Sequence, residues 1–239
     1  MSEIIQRLGV KIFADGANVS GMREMYDRSY IKGLTTNPTL MNKAGIKNYK
    51  EFAIEVLDFV RDKPISFEVF SDEFSEMERQ ALTISGWGEN VFVKIPVTNT
   101  QGKSSADLVK KLTLMGVKVN VTAVMTTQQV EEISEVLNPD VPSYVSIFAG
   151  RIADTGRDPV PYIQKSLRIL QHLRACEIIW ASPRELLNIF QANQAGCHVI
   201  TATNDILAKL DMVNYSLTQY SLDTVNMFFR DSQLSGFEL

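Results

Sequence analysis

Lys94 is a single amine inside an otherwise apolar run, Val91-Phe92-Val93-Lys94-Ile95-Pro96-Val97. The run reads as a buried strand, and the middle of a strand is where a lysine tip reaches water least easily. An amine held out of water loses the solvation that favours its charged form, and a neutral amine attacks a carbonyl to form a Schiff base. On this stretch alone the alternative is an edge-strand lysine facing solvent. Further polar groups stand at the ends of other apolar runs: Asp15, Asn37, Glu68, Asn120, Thr122, Ser146, Arg151, Ser182 and Arg184. They suit the same chemistry. Glu68 can exchange protons through a water held by Thr122 while the imine forms, and Asp15 can take the proton from a hydroxyl whose loss breaks a carbon–carbon bond. The amides of Asn37 and Asn120 both donate and accept, which fits substrate hydroxyls. Arg151, Ser182 and Arg184, with the start of a helix after Pro183, suit a terminal phosphate. Each residue also has a structural alternative. Asp15 could cap a turn, Asn37 could stabilise Thr-Thr-Asn-Pro, Glu68 could form a buried ion pair with Lys94, and either arginine could make a rim salt bridge.

These groups need a scaffold that gathers strand ends. Strands are predicted at 11–14, 33–38, 65–70, 91–97, 117–124, 144–149, 177–181 and 198–202. Helical patterns at 2–8, 22–30, 49–60, 73–85, 104–115, 127–137, 159–173 and 183–195 accompany them, and a helical C-terminal segment covers about 204–235. Strands rich in valine, isoleucine and phenylalanine with little alternation imply a parallel sheet buried on both faces. Eight such units predict an α/β fold, a (β/α)8 TIM barrel forming a single domain over 1–239, with the polar strand ends at its C-terminal rim. An open doubly wound sheet is the alternative, but no glycine-rich dinucleotide fingerprint follows the first strand. Leu217, Tyr220, Val225, Phe228 and Phe229 make the C-terminal segment more apolar than one closing helix needs. It is expected either to meet another subunit or to pack over the barrel.

Composition narrows the partners. Apolar residues make up 45% and charged residues 22%, ordinary for a globular protein. A net charge of -4 and the lack of a lysine–arginine run point away from nucleic-acid and membrane surfaces. Cys176 and Cys197 lack metal-ligand spacing and are expected to be buried free thiols. His172 and His198 are not expected to act as bases. With no signal-like segment and no window long enough to cross a bilayer, a cytoplasmic protein is expected.

The stretches Gly33-Leu34-Thr35-Thr36-Asn37-Pro38-Thr39-Leu40 and Val91-Phe92-Val93-Lys94-Ile95-Pro96-Val97-Thr98 resemble the two signature motifs of the transaldolase family. That family of class I barrel enzymes includes short members similar to fructose-6-phosphate aldolase. The resemblance extends through Ile12-Phe13-Ala14-Asp15, Phe67-Glu68-Val69, Asn120-Val121-Thr122, Ser146-Ile147-Phe148-Ala149-Gly150-Arg151 and Ala181-Ser182-Pro183-Arg184, in the family's order. It implies transfer of a dihydroxyacetone unit between sugar phosphates, without metal or cofactor, in a self-associating protein. By resemblance Lys94 is the Schiff-base residue, Asp15 the acid/base for cleavage, and Glu68 and Thr122 the holders of the catalytic water. Asn37, Asn120 and Ser146 then line the substrate, and Arg151, Ser182 and Arg184 take the phosphate. Aldolase-type members carry tyrosine at the position of Phe148 and commonly glutamine at that of Glu68, so both residues here match the transferase pattern. The alternatives are aldol cleavage of the fructose-6-phosphate type, or a related aldolase acting on a specialised sugar.

Overall fold

The computed structural model describes residues 3–236. Eight strands close into a barrel in chain order: β1 (Lys11–Asp15), β2 (Ile31–Thr35), β3 (Ile65–Glu68), β4 (Val91–Pro96), β5 (Val119–Val124), β6 (Ser143–Ile147), β7 (Cys176–Trp180) and β8 (Val199–Thr203). Every neighbouring pair is parallel, including β8 with β1. Closure removes the free edge, so the open-sheet and edge-lysine alternatives both fall.

Two apolar clusters explain why these strands are nearly continuous in hydrophobicity. Outward residues such as Val93, Ile95, Val119, Val121, Ile178 and Ile200 pack against Ala53, Val56, Ala81, Leu112, Ile133 and Ile163 of the surrounding helices. Inward residues Phe13, Phe92, Tyr144, Ile179, Ala181 and Val199 form a separate cluster that fills the barrel. Burying one such large side chain contributes roughly 1.5–3 kcal/mol. Tyr144 meets Phe13 edge-to-face at 5.7 Å and tilts against Phe92 at 4.4 Å between ring centroids. Gly33, opposite Phe13 in the β1–β2 register, makes room for that ring: a Cβ there would lie 2.5 Å from Phe13 Cζ.

Several boundaries differ from the sequence expectation, among them those at the rim. The second strand ends at Thr35 because Asn37 caps a helix, Pro38–Lys43, its Oδ1 accepting from Leu40 N at 2.9 Å with Pro38 in the first turn. The third strand stops at Glu68, and the sixth stops at Ile147, where a short helix, Ala149–Ala153, begins. The helix expected from Pro183 starts only at Leu187, so Ser182, Pro183 and Arg184 lie in a loop before it. Of the helix predicted at 2–8, Glu3–Gln6 is helical and Ser2 lies outside the described residues.

Cys176 and Cys197 are buried free thiols, and burial pushes them up to about 11 and about 12 respectively. The C-terminal segment comprises Asn204–Leu207, a 3-10 turn at Ala208–Met212 and a helix, Leu217–Ser235, that buries none of its residues. It therefore does not pack over the barrel. Among the described residues, no helix is long and apolar enough to cross a membrane.

Candidate active site

A cavity of about 500 Å³ opens at the C-terminal ends of the strands. Asp15, Asn37, Glu68, Lys94, Thr122, Ser146, Phe148, Arg151, Ser182 and Arg184 all line it, together with Thr35, Ala123 and Thr201, which sequence reasoning missed. Alternation along the strands accounts for the convergence. Residues two apart share a face, so Asp15 follows Phe13, Lys94 follows Phe92 and Ser146 follows Tyr144 into the barrel.

Lys94 is 6% exposed. Its register partners are Glu68 on β3 and Asn120 on β5, which places a carboxylate and an amide on either side of the amine. Lys94 Nζ donates to the Thr36 carbonyl at 2.9 Å and stands 3.3 Å from Glu68 Oε2. The buried ion pair weighed as a structural alternative for Glu68 is therefore present. It also puts a carboxylate, which can accept a proton, beside the amine.

Asp15 is held from two sides. Thr35 Oγ1 donates to its Oδ1 at 2.8 Å and Asn37 Nδ2 to its Oδ2 at 3.3 Å, while Thr201 Oγ1 shares a short contact with Thr35 Oγ1. Burial raises the Asp15 carboxyl above the usual carboxylate range. The Lys94 charge and the Thr35 hydrogen bond pull it back, and the nearby Glu68 carboxylate pushes it up. Asn37 thus does two jobs, one amide end capping its helix and the other holding Asp15.

Asn120 takes a different place from the other polar residues. It is fully buried beneath the cavity, its Nδ2 donating to Ser66 Oγ at 3.0 Å and its Oδ1 accepting from Ser146 Oγ at 2.7 Å. Thr122 lies two residues farther along β5, where the chain bulges: Ala123 has φ 61° and the β5–β6 register shifts between Val121 and Val124. Thr122 Oγ1 is buried and meets no hydrogen-bond partner among the described residues.

The basic groups occupy the side of the cavity formed by β6 and β7. Ser182 adopts φ 61°, a left-handed conformation that L-residues enter at a cost of about 1–2 kcal/mol. Gly150 passes so close that a Cβ would sit 1.5 Å from the Ser182 carbonyl oxygen, so only glycine allows the start of the Ala149–Ala153 helix to approach this loop. Arg184 makes a bidentate ion pair with Asp154, its Nε reaching Oδ1 at 2.9 Å, and its Nη1 donates to Ser182 Oγ at 3.0 Å. That pairing holds the Asp154 carboxyl below the usual range. The rim salt bridge weighed for Arg184 is present, and it orients the guanidinium beside Ser182 with Arg151 on the same cavity wall.

The motif order found in the sequence now has a matching geometry, and comparison with known proteins agrees with it. The family model described as Transaldolase/Fructose-6-phosphate aldolase matches residues 12–237. The chain belongs to this family. A probable transaldolase of Clostridium kluyveri is 34% identical over 216 residues, covering 90% of this chain and 94% of its own length. Probable transaldolase 2 of Listeria monocytogenes is 34% identical over 203 residues, covering 84% and 88%. A probable transaldolase of a Thermoanaerobacter species is 32% identical over 226 residues, covering 94% and 99%. As a member of the transaldolase/fructose-6-phosphate aldolase family, the chain is an aldolase- or transaldolase-type enzyme, a class whose chemistry suits the amine and carboxylates at the C-terminal end of its barrel.

Proposed function

We propose that the protein transfers a dihydroxyacetone unit from a ketose phosphate to an aldose phosphate through a Schiff base on Lys94. The observation that carries this reading is the buried Lys94 amine at the base of a polar cavity, with Glu68 at 3.3 Å and Asp15 lining the same cavity.

In this reading Glu68 takes a proton from the Lys94 ammonium it pairs with, the freed amine adds to the ketose carbonyl, and water leaves as the imine forms. Glu68 supplies and removes the protons, and the Thr122 hydroxyl, which has no other partner among the described residues, holds the water. The Asp15 carboxylate then takes the proton of the hydroxyl next to the bond that breaks. The bonding pair moves toward the protonated imine nitrogen, giving an enamine on Lys94 and releasing an aldose phosphate. An acceptor aldehyde reverses the step, and hydrolysis of the new imine frees the product. A carboxyl raised by burial suits this exchange, because its carboxylate is a stronger base than an ordinary one. Asn37 and Ser146 meet substrate hydroxyls, and Asn120 sets Ser146 from below. Arg151, Ser182 and Arg184 take the phosphate, Arg184 being aimed by Asp154.

Phe148 supports transfer over cleavage. It lines the cavity without a hydroxyl, so the enamine lacks a phenolic proton donor at that position and persists until an aldehyde arrives. Self-association belongs to the same reading: Leu217, Tyr220, Leu222, Val225, Phe228 and Phe229 on the C-terminal helix are all exposed, an apolar surface of the kind that meets another subunit. The test is product release from fructose 6-phosphate with and without erythrose 4-phosphate. Transfer gives glyceraldehyde 3-phosphate in step with the acceptor. Release at the same rate without acceptor would make the enzyme an aldolase instead.

A further inference from the structure

β3 runs past the end of its neighbour. β2 pairs with it only through Leu34 with Ile65 and Thr35 with Ser66, and Thr36 N still reaches the Ser66 carbonyl at 3.2 Å before the chain turns into the Pro38–Lys43 helix. In a strand, the N–H and C=O of one residue point to the same side, and successive residues alternate. Val69 N donates to Lys94 O on β4, so Glu68, one residue earlier, directs both backbone groups toward β2, where no strand remains. A strand end of this kind leaves two polar groups needing partners.

One phenol supplies both. Tyr49, at the start of the helix Tyr49–Leu57, accepts from Glu68 N at 2.8 Å and donates to Glu68 O at 2.9 Å through the same hydroxyl. Packing fixes the position of that hydroxyl. The Tyr49 ring is wedged edge-on against Trp87 at 5.5 Å, Phe70 at 5.7 Å and Phe67 at 6.2 Å. Burial raises the phenol well above its ordinary range, so it keeps the proton that lets it donate and accept at once. The hydroxyl replaces the missing rungs of β2, and it does so at the residue whose carboxylate faces Lys94.

We propose that Tyr49 is a positioning residue for the Schiff-base step: it anchors the Glu68 backbone so that the carboxylate stays 3.3 Å from the Lys94 amine. The inference rests on the reading of Glu68 as the proton-exchanging group. Its reach is specific. It governs how fast the imine forms and hydrolyses, and leaves phosphate recognition on the far wall untouched.

The experiment is a double-mutant cycle on the full chain, following the rate at which fructose 6-phosphate becomes trapped on the protein by borohydride. Tyr49→Phe keeps the ring and its packing and removes only the two hydrogen bonds. The expected result is a fall in imine formation and kcat on the order of tenfold, with KM within about twofold. Glu68→Gln is expected to slow the same step by on the order of 100-fold. Tyr49→Phe should then cost nothing further in the Glu68→Gln background. Phe52→Leu is the packing control: Phe52 meets the same Phe67 ring edge-on at 6.5 Å, and its loss should lower Tm without slowing imine formation. An unchanged imine rate in Tyr49→Phe, or a penalty that persists undiminished in the Glu68→Gln background, would overturn the role of Tyr49 alone. An unchanged imine rate in Glu68→Gln would overturn the role of Glu68, and the inference with it.

Discussion

Two residues along the same inward-facing rows, the barrel interior changes character: Phe13 gives way to Asp15, Phe92 to Lys94 and Tyr144 to Ser146. Below, rings fill the space so tightly that Gly33 has no room for a methyl group beside Phe13. Above, polar groups hold one another in place. Thr35 and Asn37 grip Asp15, Lys94 lies between Glu68 and the Thr36 carbonyl, and Asn120 ties Ser66 to Ser146 at the boundary between the halves. The backbone strain at the rim, at Ala123 and Ser182, also belongs to the upper half. The floor stabilises the fold by burial and closes the barrel beneath the amine. The chamber does the opposite, since buried charge packs less favourably than apolar side chains of the same volume. One set of strands thus serves stability at one end and chemistry at the other.

The contrast can be broken from either end. Lys94→Ala in the chamber should abolish imine formation and cut turnover by at least about 10⁴-fold, while the protein still unfolds cooperatively. Loss of the folded state would erase the distinction between the halves. Phe92→Ala in the floor should cost about 3–5 kcal/mol in denaturant unfolding, with turnover per folded molecule nearly intact. A large loss of turnover at unchanged stability would show that the floor shapes the chemistry directly.

Asp15→Asn sharpens the comparison by separating the two properties in one residue. Turnover should drop by on the order of 100-fold or more as the acid/base is lost, yet Tm at neutral pH should rise. The sign follows from burial. With its folded-state carboxyl raised, Asp15 costs nothing to stability while protonated in both states. The penalty appears as pH climbs from the ordinary carboxylate range through the raised one. The Tm advantage of Asp15→Asn should therefore be present at neutral pH and shrink toward acid, and an advantage that grew toward acid would reverse the assignment. The smallest effect is expected from Phe148→Tyr, a several-fold shift from transfer toward net cleavage at constant Tm. An unchanged ratio would remove Phe148 as the reason for preferring transfer.

The barrel was legible because each buried strand announces itself by composition, and Lys94 was legible because one amine interrupts such a strand. Asp15, Glu68 and Thr122 followed from their position at strand ends. Less was visible where the function of a residue depends on a distant partner. Asn37 and Pro38 extend the apparent strand in sequence, but the amide of Asn37 caps a helix and so bends the chain away. Thr35 and Thr201 are 166 residues apart and meet only because β1 joins β2 to β8. Nothing local marks Asp154 as the partner of Arg184, or the Tyr49 hydroxyl as a replacement for strand backbone. Ser182-Pro183-Arg184 resembles a helix start, yet Ser182 takes a left-handed turn and the helix begins later. The apolar C-terminal helix was evident as a helix, and its exposure is a property of the three-dimensional arrangement alone.

The most direct measurement is the site of covalent attachment. Borohydride reduction in the presence of fructose 6-phosphate, followed by peptide mass mapping, should place a dihydroxyacetone-sized adduct on Lys94. The adduct should diminish when erythrose 4-phosphate is supplied before the reductant. An adduct on any other lysine, or turnover with no trappable adduct at all, would contradict the assignment of Lys94 as the nucleophile.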